Sequence, residues 1–113
     1  MYTYRVLRVE RVVDGDTVDV VLDLGFGVTI KQRLRIIGVD VPELRSKDPG
    51  ERERAQEAKA FAEQWLISSG QMVVTTYKDD KYGRMLGDFR REHRPETFSE
   101  AILAAGLASK YGG

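Results

Sequence analysis

The 113-residue sequence contains no cysteine, which excludes disulfide staples and zinc–thiolate sites together. It holds one histidine, His93, in a charged stretch where it reads as a solvated loop residue. No apolar run approaches the roughly 20 residues needed to cross a bilayer, so no membrane association is expected. Charge of one sign is missing too. Eighteen basic and 18 acidic residues balance, so no overall field draws the chain to polyanions, and nucleic-acid binding would need a local patch. The opening Met1-Tyr2-Thr3-Tyr4-Arg5 lacks a basic-then-apolar signal pattern. The expected location is cytoplasmic as numbered, or secreted if a leader was removed.

What is present suits one domain over residues 1–113. The length supports a single core, and 42% hydrophobic residues argue against disorder. Tyr2 to Val13 has the Tyr, Val and Thr content of a strand, punctuated by Arg5, Arg8 and Arg11. Asp14-Gly15-Asp16 reads as a tight turn in which glycine supplies an unusual φ. Thr17 to Leu24 alternates, with Val18, Val20, Leu22 and Leu24 on one face and Asp19 and Asp23 on the other. Gly25-Phe26-Gly27 predicts a hairpin into a third strand, Val28 to Val39, with Gly38 as a candidate bend or bulge.

Asp48-Pro49-Gly50-Glu51 predicts a helix start: an acid at the N-cap, proline at the first helical position and an acid three residues on. The helix is expected to run to about Ser68 and stop at Gly70. Ala55, Ala58, Ala62, Trp65 and Leu66 form its core face, with Phe61 beside them. Gln71 to Lys78 and Met85 to Arg90 read as further strands, separated by a polar turn, Asp79 to Arg84. Thr97-Phe98-Ser99-Glu100 is a capping box opening a short helix that Gly106 stops. The tail, Leu107 to Gly113, is expected to fray. Three strands, a helix, two strands and a helix predict a mainly β, α+β fold: a five-stranded OB-type barrel with two helices.

The acids at turns or strand ends are Asp14, Asp16, Asp40, Glu43, Asp79 and Asp80. Carboxylates without histidine or cysteine suit a hard cation with oxygen ligands, though not in an EF-hand, whose later ligands are missing. Read alone they are turn formers. The stretch Arg33 to Glu43 changes the balance, because an arginine on a strand runs into a proline-braced turn with two carboxylates. A planar, permanently charged guanidinium holds two phosphate oxygens at once, and a nearby carboxylate can orient water.

Val13-Asp14-Gly15-Asp16-Thr17-Val18, then Arg35 through Val39-Asp40-Val41-Pro42-Glu43, then Asp80-Lys81-Tyr82-Gly83-Arg84 resemble the three signature blocks of the staphylococcal (micrococcal) nuclease-like family, the thermonucleases. Glu100-Ala101 and Gly106-Leu107-Ala108 extend the resemblance, which covers nearly the whole chain in order. It implies a Ca²⁺-dependent endonuclease that hydrolyses phosphodiester bonds of DNA and RNA at the 5′-oxygen, leaving 3′-phosphates. By the same resemblance Asp16, Asp40 and the backbone carbonyl of Val41 correspond to metal ligands, the family's common threonine being replaced by Val41. Glu43 corresponds to the base that orients water, and Arg35 and Arg84 to the phosphate clamp. Lys81 and Tyr82 correspond to residues on a neighbouring phosphate or nucleotide, with Tyr111 near a tyrosine that packs on the nucleotide. Arg33 is read as structural.

The implied partners are single-stranded DNA and RNA, the cofactor is Ca²⁺, and a monomer is expected. Family members usually carry a further helix after the second; the sequence stops at Gly113, which reads as a shortened form or a core completed elsewhere. The competing readings are a non-catalytic OB-type nucleic-acid-binding module and a small interaction domain that touches no nucleic acid.

Overall fold

The computed structural model describes residues 1–67, 71–78 and 81–111. The expected helix stop at Gly70, Asp79 and Asp80 of the polar turn, and the last two glycines lie outside those residues.

Alternation on the first strands builds the barrel wall. β1 (Tyr2–Asp14) pairs antiparallel with β2 (Thr17–Asp23), and β2 with β3 (Thr29–Ile36). Val18, Val20, Leu22, Leu34 and Ile36 point inward and are buried. Leu24, expected on that buried face, lies past the end of β2 and is 40% exposed. The chain turns at Gly38, whose φ of +77° favours glycine, so the expected continuous third strand is cut. A separate two-residue strand follows, β4 (Val39–Asp40). The bulges fall in β1 instead. Its register against β2 slips between Val6 and Arg8, Val9 and Arg11, and Val12 and Asp14, which lets a 13-residue strand coil around the barrel.

α1 (Pro49–Ile67) starts as its capping residues dictate: the Asp48 carboxylate accepts from the Gly50 N–H at 3.0 Å. Its Ala55, Ala58, Ala62 and Leu66 face the core. β5 (Met72–Tyr77) and β6 (Leu86–Arg91) complete the sheet. β6 pairs with β5 antiparallel and with β3 in parallel, and β5 pairs with β1, so the barrel closes in the order β1-β2-β3-β6-β5. The five-stranded OB-type barrel with two helices is therefore the fold.

α2 (Phe98–Ala104) carries the full capping box between Thr97 and Glu100. Phe98, wholly buried, meets Trp65 edge-on at 5.3 Å between centroids and locks α2 to α1. A second device escaped the sequence reading. Buried Asp88 on β6 accepts from the Ser99 N–H at 3.0 Å and from its hydroxyl, holding the first turn of α2 from outside the helix. The tail does not fray over its described part. β7 (Ser109–Lys110) pairs antiparallel with β4, and the Tyr111 N–H donates to the Gly38 carbonyl at 3.0 Å.

Candidate nucleic-acid interface

Three backbone bonds fix the end of β3. The N–H groups of Arg35, Ile36 and Ile37 donate to the carbonyls of Met85, Asp16 and Gly87 at 2.8, 2.8 and 3.0 Å. Three distant segments are thereby stitched to one another: the β1–β2 turn, the end of β3, and the start of β6. A polar cavity of about 160 Å³ opens where they meet, lined by Asp14, Asp16, Arg35, Asp40, Glu43 and Arg84 together with Thr17, Val41 and Pro42.

The turn that carries Asp14 and Asp16 is seated against α1. A Cβ added to Gly15 would stand 2.9 Å from the Ala58 Cβ and 3.1 Å from a Val41 methyl. Gly15 is absent from the left-handed positions, so the expected reason for this glycine is replaced by another: it permits close approach to the helix. The Asp14 carboxylate accepts from the Asp16 N–H at 3.0 Å, closing the turn.

Arg35 is buried at the centre. One terminal nitrogen donates to the Ile36 carbonyl at 2.7 Å, and the other stands 3.3 Å from both Asp16 Oδ2 and Asp40 Oδ1. The Tyr111 ring lies over the guanidinium, 5.5 Å from its carbon to the ring centroid. Arg33, two residues earlier, is spent on the surface, where it holds both oxygens of Asp19 at 2.7 and 3.0 Å. That pairing draws the Asp19 carboxyl below its ordinary value. Asp16 behaves oppositely. Burial, then a hydrogen bond with Asp14 and the charge of Asp14, raise its carboxyl from 3.8 to about 7, against the opposing pull of Arg35 and Thr17.

The remaining candidates sit around this centre. The Val41 N–H donates to Asp16 Oδ2 at 3.3 Å, placing the Val41 backbone beside the carboxylates. Glu43 is exposed on the cavity rim, in a loop whose form Arg52 helps set by donating to the Ser46 carbonyl at 2.9 Å. Two cations stand over the Tyr82 ring, Lys81 Nζ and the Arg84 guanidinium carbon each 5.3 Å from its centroid. Asp16, Arg35, Asp40, Val41, Glu43 and Arg84 thus share one cavity, Tyr111 covers Arg35, and Lys81 and Tyr82 pack alongside Arg84. His93 is exposed and does not line the cavity.

Asp14 was read from sequence as a turn acid beside Asp16 without a role of its own, and Arg52 was not singled out. Arg52 gives no local signal, because its partner comes from the preceding loop. Four carboxylates line the cavity, yet among the described residues no three histidine or carboxylate side chains stand close enough together to hold a metal ion by themselves. The lining offers a cation only oxygen donors, among them the carboxylates of Asp16 and Asp40 with the Val41 backbone beside them. This all-oxygen set fits a hard divalent ion, which would offset the charge that burial crowds onto Asp16 and Asp14.

The closed OB-type barrel thus brings two guanidiniums and four carboxylates to one polar cavity. Residues 33–112 match the model of the staphylococcal nuclease homologue family, and the chain belongs to that family. It is 35% identical over 109 residues to a thermonuclease of Staphylococcus hyicus, covering 94% of this chain and 57% of that protein. An uncharacterized endonuclease of Escherichia coli O157:H7 is 38% identical over 106 residues, covering 92% and 60% respectively. Protein ParB of Escherichia coli is 31% identical over 113 residues, covering 92% and 56%. The chain therefore spans little more than half the length of these relatives.

Proposed function

We propose that this chain is a Ca²⁺-dependent endonuclease that hydrolyses phosphodiester bonds of single-stranded DNA and RNA. The observation that carries the reading is the convergence of Arg35, Arg84 and Glu43 with Asp16 and Asp40 in one cavity of about 160 Å³. Family membership and the endonuclease and thermonuclease names of the relatives support it.

The two guanidiniums bind the non-bridging oxygens of the scissile phosphate, a group that DNA and RNA share. Arg35 is held for this by Asp16, Asp40 and the Ile36 carbonyl, so little reorganisation is needed as charge develops. Glu43 accepts a proton from water as the water oxygen bonds to phosphorus. The phosphorus–5′-oxygen bond breaks, the 5′-oxygen takes a proton from solvent, and the phosphate stays on the 3′ side. When bound, Ca²⁺ supplies further positive charge against the phosphate oxygens, held by Asp16, Asp40 and the Val41 carbonyl.

The test is incubation of labelled single-stranded DNA with Ca²⁺, with Mg²⁺ and with chelator, followed by end-group analysis. The expected result is cleavage with Ca²⁺, none with chelator, and 3′-phosphate ends. Binding without cleavage under every condition would replace the enzyme by a nucleic-acid-binding module. Glu43→Gln is expected to lower turnover by about two orders of magnitude or more with the fold intact.

A further inference from the structure

Beside the polar cavity lies a larger, apolar one that the proposed chemistry does not use. It has a volume of about 420 Å³ at the mouth of the barrel, within the range of small-ligand pockets. Tyr2, Tyr4, Ile30, Leu34, Lys78 and Met85 are among its walls. Tyr2 and Tyr4 lie on the same side of β1 with ring centroids 6.3 Å apart and planes inclined by 29°, a stacked pair. Tyr2 is 69% exposed, so much of it is open to solvent.

The two cavities share a wall. Leu34 lines the mouth while the next residue, Arg35, lines the polar cavity; Arg84 lines the polar cavity while the next residue, Met85, lines the mouth. The Arg35 N–H to Met85 carbonyl bond, 2.8 Å, closes that wall. A strand whose phosphate sits at Arg35 and Arg84 therefore has the aromatic mouth as its next surface on this side. Lys78 is the one charged residue among the described residues lining the mouth, and no acid lines it. Such a lining suits base faces, with one cation for the backbone, and not a run of phosphates.

We propose that the barrel mouth is an extended subsite of the nuclease, in which an unpaired base of the same strand stacks on Tyr2 and Tyr4 while Lys78 meets its phosphate. The proposal rests on the nuclease reading of the neighbouring cavity. It makes that reading more specific: bases reach the tyrosines only when unpaired, as the single-stranded substrate allows, and the preferred substrate is longer than a dinucleotide.

The experiment compares a dinucleotide with a single-stranded octanucleotide as substrates for the parent protein, Tyr2→Ala and Lys78→Ala. Both substitutions are at exposed positions, and unfolding midpoints check that the fold is kept. The expected result is that Tyr2→Ala lowers kcat/KM for the octanucleotide about tenfold, through KM, and leaves the dinucleotide unchanged. Lys78→Ala is expected to act in the same direction and to flatten the salt dependence for the octanucleotide alone. Equal loss on both substrates, or no loss on either, would overturn the subsite. So would a Tyr2→Ala variant that changes the protein's sedimentation but not its length preference, since the mouth would then be a contact between copies. If the parent protein cleaves nothing, the nuclease reading fails separately. The subsite is then judged by anisotropy of the labelled octanucleotide, where equal binding by parent and Tyr2→Ala overturns it.

Discussion

Arg33 and Arg35 stand two apart on one strand, and local sequence alone cannot separate them. Their surroundings do. Arg33 is paired with Asp19 at the surface, where such a pair contributes little to stability. Arg35 is buried between two carboxylates and beneath Tyr111. A lysine at position 35 keeps the charge but has no planar fork to bond Ile36, Asp16 and a phosphate together. Arg35→Lys is expected to reduce kcat on single-stranded DNA by about a hundredfold. Arg33→Lys is expected to leave kcat unchanged, and steady-state kinetics on the two variants measures the contrast. Comparable losses in both would contradict the division of roles. The motif blocks made Arg35 legible in the sequence, whereas the position of Tyr111 over it was not. That contact depends on β4 and β7 pairing, a two-residue interaction too short to leave a periodic signature.

The strands, the capping boxes and the amphipathic helix were readable because each follows from local periodicity or from residues within one turn. The contacts between elements were not. Gly15 illustrates the difference: its turn was visible, but the reason for glycine lies in Ala58, 43 positions away on α1. Gly15→Ala is expected to destabilise the fold by about 1–3 kcal/mol by overpacking. Ala58→Gly alone removes a methyl and costs helix propensity, about 1 kcal/mol or more. Together the two changes are expected to destabilise less than the sum of their separate effects, with a coupling of about 0.5–3 kcal/mol. Denaturant unfolding of the three variants measures it, and strict additivity would show that the turn and helix do not press on each other. Since Asp14 and Asp16 flank the glycine, Gly15→Ala should also lower turnover more than its stability loss alone explains.

Zero net charge conceals an uneven distribution of carboxylates, and the pH dependence of stability follows from it. Asp88 is raised above the ordinary value, chiefly by burial, although Ser99, Phe89 and Thr97 hydrogen bonds pull it down. Asp16 is raised to about 7. A carboxyl whose folded value exceeds its unfolded value binds its proton more tightly in the folded state, so its contribution is complete below about pH 4 and is lost as pH rises through the folded value. Asp19 and Glu100 are lowered, by Arg33 and by the Thr97 cap respectively, so their contributions are lost on the acid side of about pH 4. The metal-free protein is accordingly expected to be most stable in mildly acidic solution and to weaken towards pH 8. Asp88→Asn keeps an oxygen for the Phe89 and Ser99 N–H groups and a donor for the Ser99 hydroxyl, yet cannot ionise. It is expected to flatten the decline in unfolding free energy as pH rises above about 4, without changing the acid limb. Asp88→Ala instead strands the Phe89 N–H on β6 and the Ser99 N–H and hydroxyl at the start of α2, and is expected to destabilise at every pH, each stranded group costing about 1–3 kcal/mol. Thermal unfolding of the parent and both variants in chelator, across that range, tests the assignment. An Asp88→Asn profile parallel to the parent's would show that the decline arises elsewhere, with Asp16 then the group to substitute.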